Sequence, residues 1–227
     1  MMKKANEIKK ERVVIPNYTR REELINMISH IIGAIFGLVA LIILLILSVK
    51  HNNTPGIITS IVYSMTIIIL YSCSACYHGI NDIKPKKVFR VLDHCSIFLL
   101  IAGTYTVIAI SGVVPVYPIA GYLMFGIVWT LSILGIILNA ISIKKFQIIS
   151  MILNILIGWM AVFFVYYVIS SISVEAFILI LAGGLCYTIG AILYGIGKRK
   201  KYFHSVFHIF CILGTVIQFL GIAIYCV

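Results

Sequence analysis

Seven apolar stretches recur along the chain, at about residues 24–49, 56–79, 88–110, 117–138, 146–169, 174–196 and 203–226. Each is long enough to cross the ~30 Å of hydrocarbon in a bilayer as a helix. Polar residues collect in the short connections between them, so successive helices are expected to run antiparallel as neighbours in one bundle. Pro55, Pro85, Pro115 and Pro118 fall in connections or at helix starts, where a missing N–H costs little. Thr19 and Glu22 have the spacing of a capping box and predict that the first helix starts beside them. The pattern predicts an all-α, integral membrane, seven-transmembrane helix bundle occupying residues 22–227.

Residues 1–21 break the pattern. They are polar and carry seven Lys or Arg, and are expected to form a basic arm lying disordered or along the membrane surface. The apolar run from Leu24 to Val49 is too long for the core of a cleavable leader and reads as an uncleaved span. Composition agrees with the pattern. Only 11% of the 227 residues are charged, against about a quarter in soluble domains.

The formal charge of +11 is consistent with nucleic-acid binding in total, but its placement argues otherwise. Of 18 Lys and Arg, all but Lys50 lie in the N-terminal arm or in alternate connections (Lys84 to Arg90, Lys144 and Lys145, Lys198 to Lys201). The positive-inside rule then places the N-terminus in the cytoplasm and the C-terminus outside. That is the reverse of a G-protein-coupled receptor. The basic connections suit the anionic headgroups of the cytoplasmic leaflet, so the expected partner is membrane lipid and not nucleic acid.

The six cysteines, at 73, 76, 95, 186, 211 and 226, all fall within predicted spans and are expected to be free thiols. Gly33 and Gly37 form a GxxxG, and Gly183, Gly184, Gly190 and Gly195 give the sixth span a small face, both suited to close helix packing. No internal repeat supports a transporter built from inverted halves.

The candidate chemistry emerges once depth is assigned. Ser74 and His78 lie near the cytoplasmic end of span 2, with Arg90, Asp93 and His94 in the first turns of span 3. His204 and His208 open span 7, and Asn26 and His30 lie at the same level in span 1. Five of the six histidines thus share one leaflet, leaving only His51 outside. Ionisable groups at membrane depth are costly and mark functional sites. His204 and His208 stand one turn apart on one helix face, able to grip one ion as the histidines of HExxH do. Three protein ligands and an open position would let zinc lower the pKa of a bound water toward neutrality. Asp93 is suited to take the water's proton, and Ser74 to hydrogen-bond a carbonyl or its oxyanion. A fourth ligand from His94 or Cys76 would instead close the site. Arg90 is expected either to snorkel to phosphate or to pair with Asp93.

Asn26-x3-His30-x2-Gly33, Ser74-x2-Tyr77-His78, Arg90-x2-Asp93-His94 with Gly103-Thr104-Tyr105, and His204-x3-His208 together resemble the hemolysin III family. That family belongs to the progestin and adipoQ receptor group, with the adiponectin receptors, and is related to the alkaline ceramidases. The resemblance implies Zn2+ held by His78, His204 and His208, with Asp93 and Ser74 around the zinc-bound water. Asn26, His30, Arg90 and His94 would support them from behind. It implies hydrolysis of a ceramide-like amide or an ester of a lipid, in a multi-pass protein of a bacterial plasma membrane. His94 follows the bacterial members where the adiponectin receptors have another aromatic residue. Two other functions stay open: a non-catalytic zinc-containing sensor or lipid-homeostasis protein, and a pore-forming cytolysin. The seven apolar spans argue against a secreted toxin, which needs a soluble state.

Overall fold

The computed structural model describes residues 13–197 and 200–227, and all regular structure among them is helical. Most of the basic arm, together with Lys198 and Arg199, lies outside the described residues. Helix α1 spans Arg20–Lys50 and opens on the expected capping box. Thr19 Oγ1 accepts the Glu22 N–H at 3.3 Å, while the Glu22 carboxylate accepts the Thr19 N–H at 2.9 Å. Its buried residues Asn26, His30, Gly33, Gly37, Ala40, Leu44 and Ser48 recur at intervals of three and four, the stripe of a helix packed on one side. Ile28, Ile32, Ile35, Ile42 and Ile46 on the other side are exposed. An apolar face of that extent is what a hydrocarbon surround accommodates.

α2 (Thr54–Gly79) packs along that stripe, with the Tyr71 ring seated over Gly33. A Cβ on Gly33 would lie 2.7 Å from the ring, so the predicted GxxxG does place two helices in close contact. α3 (Ile83–Thr106) continues into a π-helical stretch, Val107–Val113, in which Val114 N–H reaches back five residues to Ala109 O. In this span 72% of the most apolar window is buried, against 28% for α1. α3 with its π-helical extension is therefore the most buried of the six apolar spans.

α4 (Pro118–Gly158) covers 41 residues, but its backbone leaves helical geometry at Ser142 (φ −168°, ψ 107°). Ser150 Oγ donates to Asn139 Oδ1 at 2.6 Å across that break. In a straight helix eleven residues separate the two by roughly 16 Å, so the two halves of α4 must fold back side by side. Asn139 Nδ2 also donates to His94 O at 3.1 Å, tying the turn to α3. The predicted fifth span is not one helix. It comprises the second half of α4, then α5 (Met160–Phe163) and α6 (Val165–Ser171), interrupted at Trp159 and Phe164. Tyr105 on α3 accommodates the first interruption: its hydroxyl donates to Gly158 O at 2.9 Å and accepts Ala161 N–H at 2.8 Å.

α7 (Val174–Gly197) and α8 (Phe203–Tyr225) pair closely through Gly183 and Gly214. A Cβ on Gly183 would lie 2.8 Å from Gly214 O, and one on Gly214 would lie 3.0 Å from Gly183 O. Among the described residues six helices are long and apolar enough to cross a membrane, and the chain is a multi-pass membrane protein. All six cysteines are free thiols.

Candidate metal centre and the cavity behind it

The last turn of α2 and the first two turns of α8 meet at one end of the bundle, and each brings histidine. His78, His204 and His208 are all buried, with one ligand-type atom from each within 4.8 Å of the others. Their Nε2 atoms converge: His78 to His204 is 3.4 Å and His204 to His208 is 2.9 Å. Neighbouring ligands around a tetrahedral ion with bonds of about 2.0–2.1 Å stand about 3.3 Å apart. Those two spacings bracket this value and the third pair lies within 4.8 Å, so the three rings suit one metal ion once they close around it.

The far side of the His78 ring is held by charge. Glu23 Oε2 lies 2.5 Å from His78 Nδ1, and Glu23 Oε1 accepts from Lys86 Nζ at 2.7 Å. A carboxylate at Nδ1 draws the ring proton to that side and leaves the Nε2 lone pair free to face an ion. Asn26 Nδ2 is 3.5 Å from the same nitrogen, at the outer limit of hydrogen bonding. The other two rings are positioned by aromatic packing. His30 stacks on His208 with centroids 3.8 Å apart, and Tyr18 stacks on His204 at 4.8 Å. Burial pushes the Tyr18 phenol well above its ordinary range, so it stays a neutral hydroxyl. Both ring nitrogens of His30 and the Nδ1 atoms of His204 and His208 are buried without a partner among the described residues.

Glu22, one residue from Glu23, joins the two ends of the chain's helical order. While one of its oxygens caps α1, the other accepts the Tyr202 N–H at 2.8 Å, just ahead of α8. Tyr202 has a left-handed backbone (φ 64°) that turns this N–H toward α1.

Beside the histidines a cavity of about 420 Å³ opens among α1, α2, α3, the second half of α4, α7 and α8. His30, Ser74, Arg90, Asp93, His204 and His208 all line it. Asp93 faces Ser74, His78 and Arg90, with the buried Ser74 hydroxyl on its carboxylate. His94 is in the wall, edge-on to the Tyr194 ring. Neither His94 nor Cys76 joins the three-histidine group, and Cys76 is exposed. The fourth-ligand alternative thus has no support among the described residues.

Arg90 differs from both expectations. It is only 7% exposed, so it does not snorkel, and no carboxylate oxygen lies within ion-pair distance of it among the described residues. The sequence reading missed Glu23 and Lys86. Glu23, Asn26 and His30 share one helix face by their spacing, and that was the available signal for Glu23. It also missed the polar far wall, where Asn139, Gln147, Ser150 and Asn154 face the cavity.

The family described as Haemolysin-III related matches residues 18–219, which include every residue of this constellation. The chain is 35% identical to Hemolysin-3 of Bacillus cereus over 208 residues, covering 90% of this chain and 92% of that protein. It is 30% identical to the Hemolysin-3 homolog of Bacillus subtilis (strain 168) over 210 residues, covering 92% and 97%.

Proposed function

The chain belongs to the haemolysin-III related family, and from that premise we propose that it is a zinc-dependent intramembrane hydrolase of lipid amides or esters. One observation carries this reading: three converging imidazole nitrogens stand beside a largely apolar cavity, lined by His204 and His208, that also presents Asp93 and Ser74. His78, His204 and His208 hold the ion, with Glu23, Asn26, His30, Arg90 and His94 around them. When bound, zinc supplies Lewis acidity and brings the pKa of water down toward neutrality.

The remaining chemistry belongs to the chain. Apolar residues such as Leu70, Ile97, Ile101 and Ile155 receive the acyl chain and exclude bulk water. Asp93 takes a proton from the attacking water, whose oxygen bonds to the acyl carbon. Ser74 Oγ donates to the acyl oxygen as negative charge builds there. The C–N or C–O bond then breaks, and the proton held by Asp93 passes to the leaving nitrogen or oxygen.

The protein lies in the plasma membrane of a bacterium and crosses it seven times, the two halves of α4 counting as separate crossings. Its N-terminus is cytoplasmic and its C-terminus external, which puts the histidine cluster near the cytoplasmic face. The decisive experiment measures metal content together with lipid products from wild type and Asp93→Ala. Stoichiometric zinc with product release from wild type alone supports the hydrolase. Zinc without any product assigns the chain to the sensor class instead. The relatives' name raises direct lysis, and dye leakage from liposomes, compared with a His204→Ala/His208→Ala variant, tests that separately.

A further inference from the structure

Arg90 is the only Lys or Arg among the described residues lining the cavity. A guanidinium keeps its charge at any physiological pH, and burying it without an anion is expensive. Lys86, one turn earlier on α3, meets that requirement with Glu23 at 2.7 Å. Arg90 does not. Among the described residues its one hydrogen bond runs from Nη1 to the neutral Tyr77 hydroxyl at 3.3 Å, its guanidinium lies 5.9 Å from that ring's centre, and its buried Nε finds no partner. Asp93 shares the cavity but stays outside ion-pair distance.

The surroundings of Arg90 are rich in polar groups that an anion can use. Tyr18 and Tyr77 line the same cavity, each with a phenol able to donate. Further along, His30 lines it with two buried ring nitrogens that have no partner among the described residues, and one of the two carries an N–H. Beyond them the wall is apolar, with Leu70, Leu100, Ile101 and Met151. A cation, hydroxyl donors and an acyl-sized apolar channel in one cavity describe a receptor for a charged amphiphile.

We propose that Arg90 is the specificity-determining residue of this cavity and holds the anionic head of the ligand, a carboxylate or phosphate carried on a single acyl chain. Built on the hydrolase reading, this narrows the substrate class from neutral, ceramide-like lipids to acyl amides or esters with an acidic head. The planar fork of donors suits both carboxylate and phosphate, so head charge is selected ahead of head identity.

The test is binding, measured apart from turnover on purified full-length protein in detergent. The probes are N-oleoylglycine (carboxylate head), oleoyl lysophosphatidic acid (phosphate head), and the neutral N-oleoylethanolamine and monoolein. Wild type is expected to bind at least one acidic probe about tenfold or more tighter than either neutral one, and which acidic probe leads identifies the head. Arg90→Gln should remove that preference with metal content unchanged, and Arg90→Lys should keep part of it. Equal affinity of wild type for acidic and neutral probes overturns the proposal, whether or not a variant folds. Persistence of the preference in Arg90→Gln also overturns it. Product release without head-charge preference sinks this inference and leaves the hydrolase reading standing; preference without product does the opposite.

Discussion

Glu23 and His78 are 55 residues apart in sequence, yet Glu23 Oε2 lies 2.5 Å from His78 Nδ1, on the ring face opposite the nitrogen that meets His204. A carboxylate there sets the tautomer and strengthens the opposite nitrogen as a donor to metal. Glu23→Gln keeps the shape and removes the charge. Its zinc affinity, measured by competition with a chelating dye, should fall about 10- to 100-fold. An unchanged affinity would remove Glu23 from the site.

Asp93→Asn should leave zinc content at the wild-type level while turnover drops about 10²- to 10⁴-fold, the usual contribution of a positioned acid–base group. Metal analysis and product release on the same preparation decide this. Loss of both together would mean that Asp93 holds the metal instead of the proton.

Only one of two adjacent glycines on α7 should tolerate alanine. A Cβ at Gly183 meets Gln218 Cγ at 2.4 Å and Gly214 O at 2.8 Å, whereas a Cβ at Gly184 meets nothing within 4 Å. Gly183→Ala should cost about 1–3 kcal/mol by overpacking. Gly184→Ala should be neutral or stabilising by a few tenths, because alanine restricts the unfolded chain. Thermal denaturation in detergent compares them directly.

Asn139→Ala removes both anchors of the reversal at Ser142, leaving Ser150 Oγ and His94 O short of a partner. Stability should fall by about 1–3 kcal/mol. Combining it with Ser150→Ala should cost less than the sum of the two single changes, since both break one bond. Full additivity in melting temperature would mean that the two halves of α4 are not joined there.

The reversal also predicts sidedness. In a Cys76→Ser background, a membrane-impermeant maleimide should label Lys50→Cys in intact cells and Lys144→Cys only after permeabilisation. Labelling of both from outside would contradict seven crossings with a cytoplasmic N-terminus.

Much of this arrangement was legible because its signals are local. Thr19 and Glu22 are three apart and His204 and His208 four apart, and both pairs behave as helical geometry requires. Gly33 and Gly37 likewise sit against α2. The features missed depend on distant partners. Glu23 gains its role from His78 and Lys86, and its spacing to Asn26 and His30 marks the helix face it shares but neither of those partners. The expected loop between spans four and five is a single non-helical residue, since the flanking segments are helical almost up to Ser142. The breaks at Trp159 and Phe164 fall within a continuous apolar run. Hydropathy cannot reveal them, because Tyr105 on α3 satisfies the interrupted backbone. Arg90 does line the cavity beside Asp93, His204 and His208, but only packing decides whether an arginine turns outward or into a cavity.

The Glu22–Tyr202 bond has a consequence for how the protein is made. His204 lies 126 residues after His78, so at about 5–20 residues per second His78 waits on the order of 6–25 s for its partner to be synthesised. Throughout that interval α1 and α2 carry an acidic, histidine-bearing end with no mate. Capture of the Tyr202 N–H by Glu22 brings the first turns of α8 against them and sets His204 and His208 opposite His78. An ion held by the three histidines can therefore be taken up only once α8 has been made, because a nascent chain stalled before it lacks two of the three rings.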